Sequence, residues 1–150
     1  MKKAVTLVAV AAATGLLAAS ASAANVHKHV RYVKLVVEQG FFVDNDPSGQ
    51  SGGDLFGSTG VLRHRSHQVG TFSAACESSS ADGGQCNVSF VWNSGDRLQL
   101  AGEIQMQGGA QSRIAIVGGT GKYKQARGDA TVTPVDNQGQ VQRIKLRILR

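Results

Sequence analysis

The sequence predicts an all-β fold: one domain of eight short antiparallel strands closed into a barrel, behind an N-terminal export leader. Three observations predict it. Apolar and polar residues alternate with a period of two, helical periodicity is hard to find, and clusters of Gly, Asn, Asp and Ser interrupt the alternation at short intervals.

The leader comes first. Lys2 and Lys3 give a positive start, an apolar run extends from Ala4 to Ala19, and Ala21-Ser22-Ala23 supplies the small-x-small pattern of signal-peptidase sites. Residues 1–23 are therefore expected to be a cleaved signal peptide and residues 24–150 the domain. The apolar run is short and alanine-rich, and no second segment of spanning length follows, so no stable membrane insertion is expected after cleavage. The expected location is secreted or periplasmic. The formal net charge of +6 loses the leader's two lysines, leaving a mildly basic domain with its charges spread along the chain.

The strands follow. Leu98, Leu100, Gly102, Ile104 and Met106 alternate with Arg97, Gln99, Ala101, Glu103 and Gln105, which puts one apolar and one mainly polar row on opposite faces. Val88, Phe90 and Trp92 form a second row, and Ile114 and Ile116 a third. Ile144, Leu146 and Ile148 alternate with Arg143, Lys145 and Arg147. A helix would smear those cations around its circumference, whereas a strand keeps them all in water. Turn chemistry at Asn93–Asp96, Gly108-Gly109, Gly118–Gly121 and Asp136–Gly139 separates the runs. The predicted strands are 30–39, 54–63, 68–77, 85–92, 96–107, 112–117, 127–135 and 140–149, with a long loop around 44–60. Closure removes the two open edges of such a chain, and a barrel of eight strands holds packed side chains or one small ligand. A two-sheet sandwich fits the same alternation.

Cys76 and Cys86 sit near the facing ends of two neighbouring predicted strands, around a loop that lacks an apolar anchor. In an exported chain they are expected to pair as a structural disulfide. No metal site is expected: two cysteines are too few for zinc, and His27, His29, His64 and His67 fall in a frayed terminus and a polar turn. Gly118–Lys122 lacks the leading glycine of a phosphate loop, and Tyr123 stands where Ser or Thr would meet magnesium. Aromatic residues make up only 5% of the chain and do not interleave with the basic row, so nucleic acid is not an expected partner.

One segment is more specific. Ile114–Gly128 carries Gly118, Gly119, Thr120 and Gly121, then Tyr123, then Ala126-Arg127-Gly128, and resembles the signature turn of allene oxide cyclase barrels and dirigent proteins. Val36-Val37-Glu38, Gly52–Leu55, Val69-Gly70 with Cys76, and Gly95-Asp96 match more loosely, in the family's order. The resemblance implies an eight-stranded barrel with an apolar cavity, no cofactor, and control of a reactive hydrophobic small molecule. In the cyclases a lumen glutamate polarises bound water or stabilises a developing cation. Glu38 occupies that position, with Tyr32 on its face of the strand and Pro47 nine residues further on as cavity candidates. Gly40 and Asp46 replace the cyclases' asparagine and serine, which leaves the water-holding set incomplete.

The first strand offers two rows. Tyr32, Lys34, Val36 and Glu38 form one, and Val33, Leu35 and Val37 the other; if the second faces the core, Glu38 is a surface carboxylate. Two functions therefore stay open. One is a cofactor-independent cyclase, isomerase or dirigent-like stereocontrol protein centred on Glu38. The other is a non-catalytic exported barrel that binds an apolar ligand or serves as a surface-interaction module. A homo-oligomer is compatible with either.

Overall fold

The computed structural model describes residues 27–45, 51–80, 83–105 and 109–149; the expected leader and Pro47 lie outside them. Eight strands follow one another around a closed barrel. They are β1 (Lys28–Val43), β2 (Leu55–His64), β3 (His67–Ser80), β4 (Gly83–Trp92), β5 (Arg97–Gln105), β6 (Ser112–Gly119), β7 (Arg127–Pro134) and β8 (Val141–Leu149). Every neighbouring pair is antiparallel, and β1 closes the ring against β8 from Lys28↔Leu149 to Val36↔Val141. The barrel, not the sandwich, is the solution adopted, and β1 runs four residues past its expected end.

The meander gives the barrel two ends. The turns after β2, β4 and β6, the start of β1 and the end of β8 lie at the foot. The ends of β1, β3, β5 and β7 lie at the mouth. The alternating rows face as their chemistry requires. Leu98 and Leu100 of β5, Ile114 and Ile116 of β6, and Ile144, Leu146 and Ile148 of β8 are all buried. Burying such a side chain contributes about 1.5–3 kcal/mol relative to exposure. Arg143 and Arg113 point outward into solvent. A charged outer face is the reverse of what a lipid-facing barrel presents. Among the described residues no helix is long and apolar enough to cross a membrane.

In β1 the row Val33–Leu35–Val37 faces inward, with Val33 and Leu35 buried. The pairing with β2 then slips between Val37 and Gln39. This bulge leaves Glu38 without a partner in the ladder and brings Gly40 back to the lumen side. On the outer wall, Asp129 joins Arg113 of β6 to Arg147 of β8 through side-chain hydrogen bonds of 2.8–3.2 Å. Partial desolvation works to raise the Asp129 pKa, but the Arg147 and Arg113 hydrogen bonds outweigh it and hold the carboxyl below its usual range.

Candidate functional site

The foot half of the barrel is filled. Val33, Leu62, Leu98, Ile116 and Leu146 are buried there, and none of them borders the cavity. The seal below them comes from the Gly118–Gly128 segment. Gly118, at φ +148°, and Gly119 end β6, and the Thr120 amide donates to the Arg97 carbonyl at 2.9 Å. A single 3-10 turn, Gly121–Tyr123, then drops the Tyr123 ring into the barrel end, where it is 3% exposed and 6.0 Å from the Trp92 ring centroid. Ala126, fully buried, leads into β7. The Arg127 guanidinium donates to the carbonyls of Val117 and Ala126, which ties the two sides of the segment together. Gly128, at φ +132°, is required at the corner because a Cβ there would collide with the Arg147 carbonyl oxygen.

Asp96, in the turn before β5, latches this plug. Its carboxylate accepts from the Lys122 amide at 3.1 Å and the Ser94 hydroxyl at 2.6 Å, and pairs with the Lys122 ammonium at 2.8 Å. Hydrogen bonds from Lys122 and Ser94 lower its pKa to about 2.

Above the filled half lies a cavity of about 350 Å³. Its wall is apolar: Leu35 and Val37 of β1, Phe72 of β3, Val88 and Phe90 of β4, and Leu100, Ile114, Val132 and Ile144 of β5 to β8. Cys76 and Cys86 are directly opposite each other on β3 and β4, form the expected disulfide, and border the cavity themselves. The polar groups gather at the rim, where Ser58, Gln105, Gln138, Gln140 and Gln142 contribute. The rim is built by short-range bonds. The Gln105 amide donates to the Ser112 hydroxyl at 2.8 Å, the Gln140 amide donates to Asp136 at 2.9 Å, and the Gln140 carbonyl accepts from the Val37 amide at 2.9 Å. Among the described residues no ionisable side chain lines the cavity. A 350 Å³ apolar enclosure with a few polar groups at one end has the dimensions of a small-molecule site.

Buried Asp54 organises the approach to the rim from the β1–β2 connection. Its carboxylate accepts from the backbone amides of Asn45 at 3.0 Å and Ser51 at 2.7 Å. The Gly52–Leu55 match thus falls on a loop clamp. Beside it Phe41, Phe42, Val43 and Leu55 form an exposed apolar lip.

The two cavity candidates described on β1 are not in the cavity. Glu38 sits at the bulge, exposed, and is not a lining residue. Tyr32 is 51% exposed on the outer face, its ring 5.8 Å from the Lys145 ammonium. The reason is the pleat: once Val33, Leu35 and Val37 face the core, Tyr32, Lys34 and Glu38 must face water, and the bulge then returns Gly40 to the lumen side. The second of the two rows offered by the sequence is the core row. The glutamines of the rim escaped sequence reasoning because they are scattered from 105 to 142. Their only signal was a recurrence of Gln beside turns.

No protein-family model matches the sequence, and no curated protein matches it. Solved structures do. A pyocyanin demethylase superposes with a TM-score of 0.70 at 20% identity, over 80% of this chain and 99% of the other. A pterocarpan synthase dirigent protein gives 0.65 at 20% identity, covering 83% and 88%. The Diels-Alderase of Streptomyces koyangensis gives 0.62 at 18% identity, covering 82% of this chain and 63% of its own. The likeness to dirigent-type and cyclase-type barrels expected from the signature turn therefore holds at the level of fold.

Proposed function

We propose that this dirigent-type barrel is an exported protein that binds a hydrophobic small molecule in its lumen, entering through the glutamine-lined mouth. The observation that carries the reading is the apolar, open-ended cavity, which among the described residues no ionisable side chain lines. Such a wall selects for uncharged, apolar ligands, because a charged group placed there would lose its hydration without gaining a partner. The rim amides suit a ligand with one polar end, such as a hydroxyl or carbonyl. Any chemistry guided here is guided by shape and orientation, since among the described residues no general acid or base borders the cavity. This favours binding or dirigent-like stereocontrol over a cyclase centred on Glu38. The similar structures are named as a pyocyanin demethylase, a pterocarpan synthase dirigent protein and a Diels-Alderase. Compact organic molecules are the class against which this lumen should be screened. Export is part of the proposal: the disulfide belongs to an oxidising compartment, and the charged outer rows suit solvent.

The test is a fluorescence titration with the neutral apolar dye N-phenyl-1-naphthylamine. Wild-type protein should give a saturable, one-site enhancement. Ala74→Trp, which puts an indole into the cavity from β3, should abolish it while leaving the fold intact by circular dichroism. Equal binding by the folded variant would mean that the dye sits elsewhere, and the lumen reading would fail.

A further inference from the structure

A second hollow, of about 210 Å³, lies at the foot, outside the plug. It is lined by His29, Val30 and Arg31 of β1, Lys122 and Tyr123 of the plug, and Ile148 of β8. Its character is opposite to that of the lumen. Arg31 is half-buried, with its guanidinium carbon 4.0 Å above the centre of the Trp92 ring and one Nη1–H donating to the Tyr123 hydroxyl at 3.1 Å. Among the described residues it has no carboxylate partner. Lys122 does have one, in Asp96. The hollow therefore presents one uncompensated cation, already desolvated on one face, already oriented, and with most of its five N–H donors unused.

The surroundings point the same way. The foot carries Lys28, Arg65, Arg97, Lys124, Arg127 and Arg147 against Asp96 and Asp129, whereas Asp44, Asp54, Glu77, Glu103 and Asp136 lie towards the mouth with Arg113 and Arg143. Among the described residues the foot is therefore the more positive end of the barrel. That arrangement concentrates anions at the hollow.

We propose that the foot hollow is an oxyanion site that takes a phosphate group on the free edge of the Arg31 guanidinium. A planar fork with one face stacked on an indole and one N–H fixed by a phenol is preorganised for two parallel N–H···O bonds. Lys122 and His29 border the same space. The site is separate from the lumen, because the Trp92 and Tyr123 rings stand between them. A free phosphate and the phosphate of an anionic lipid headgroup share this chemistry.

Trp92 is the chain's sole tryptophan, so its emission reports on the site directly. Inorganic phosphate titrated into the mature protein, with sodium chloride at matched ionic strength as the reference, should change that emission saturably. Arg31→Gln should weaken the response roughly tenfold or more. Arg31→Lys keeps the charge but loses the fork, and should fall between the two. In a parallel arm, sedimentation with phosphatidylglycerol–phosphatidylcholine vesicles is compared for wild type, Arg31→Gln and Arg97→Gln, the last a foot cation outside the hollow. A phosphate response that depends on Arg31 identifies a free-phosphate site. Vesicle binding lost in Arg31→Gln but kept in Arg97→Gln, without a phosphate response, identifies a headgroup site. No response in either arm overturns the proposal, as does vesicle binding that drops equally in both variants.

Discussion

Replacing both Cys76 and Cys86 by alanine tests how the cavity wall is held. The bridge joins residues separated by 10 positions. In the chain-entropy treatment a loop of that length restrains the unfolded chain by about 2.7 kcal/mol at 25 °C. Because both cysteines border the lumen as well as the core, their removal widens an existing cavity instead of creating a closed void. The packing loss should therefore be small and the entropic contribution should dominate. With an unfolding entropy of roughly 2.1 cal/mol/K per residue over about 120 ordered residues, the expected fall in Tm is roughly 10 °C. Differential scanning calorimetry of the double variant beside wild type, both without reductant, measures it. A fall under about 2 °C would refute the reasoning, showing that the β3–β4 hairpin constrains the unfolded chain without its bridge. The widened lumen should still bind N-phenyl-1-naphthylamine, since the rest of the wall is unchanged.

Three further outcomes follow from the geometry. Glu38→Gln should leave dye affinity within about twofold of wild type, because the carboxylate is exposed at the bulge and borders no part of the cavity; a larger change in the same titration would return Glu38 to the site. Tyr123→Ala should cost about 3–5 kcal/mol in urea unfolding, in the range of large aromatic truncations, because the ring is buried as the barrel's seal; a loss below about 1 kcal/mol would mean that the plug does not close the foot. The Asp96 latch fixes an acid response. Its folded pKa, about 2, lies below the unfolded value near 3.9, so its contribution is complete above about pH 4 and fades as the pH falls towards 2. Asp96→Asn should flatten the stability profile across that window, and an unchanged slope would mean that the Lys122–Asp96 pairing does not stabilise the folded state.

The fold was legible because this barrel obeys the pleat almost everywhere. The row Ile144–Leu146–Ile148 against Arg143–Lys145–Arg147 has one arrangement that keeps cations wet, and the structure adopts it. The turn at Gly118–Gly128 was legible for a different reason: glycines at positive φ and a buried tyrosine are required by a particular corner, and few sequences satisfy it. The site was less legible. Both rows of β1 carry apolar residues, so alternation alone could not choose between them. The choice is made across the sheet, where Leu35 pairs with Leu62 and Gln142, and by a bulge that no local sequence signal marks. The Arg31–Tyr123 bond spans 92 positions and the cavity rim draws on β2, β5, β8 and the connection between β7 and β8. Such contacts depend on closure of the whole ring and are not written in any single segment.

The most direct test of the account is methyl-resolved NMR with the protein saturated by N-phenyl-1-naphthylamine. Shift changes should be confined to the methyls of Leu35, Val88, Leu100, Ile114, Val132 and Ile144, which line the cavity, with those of Val117 and Val135 on the outside unmoved. Changes centred instead on Val43 and Leu55 at the exposed lip, with the lumen methyls silent, would contradict it.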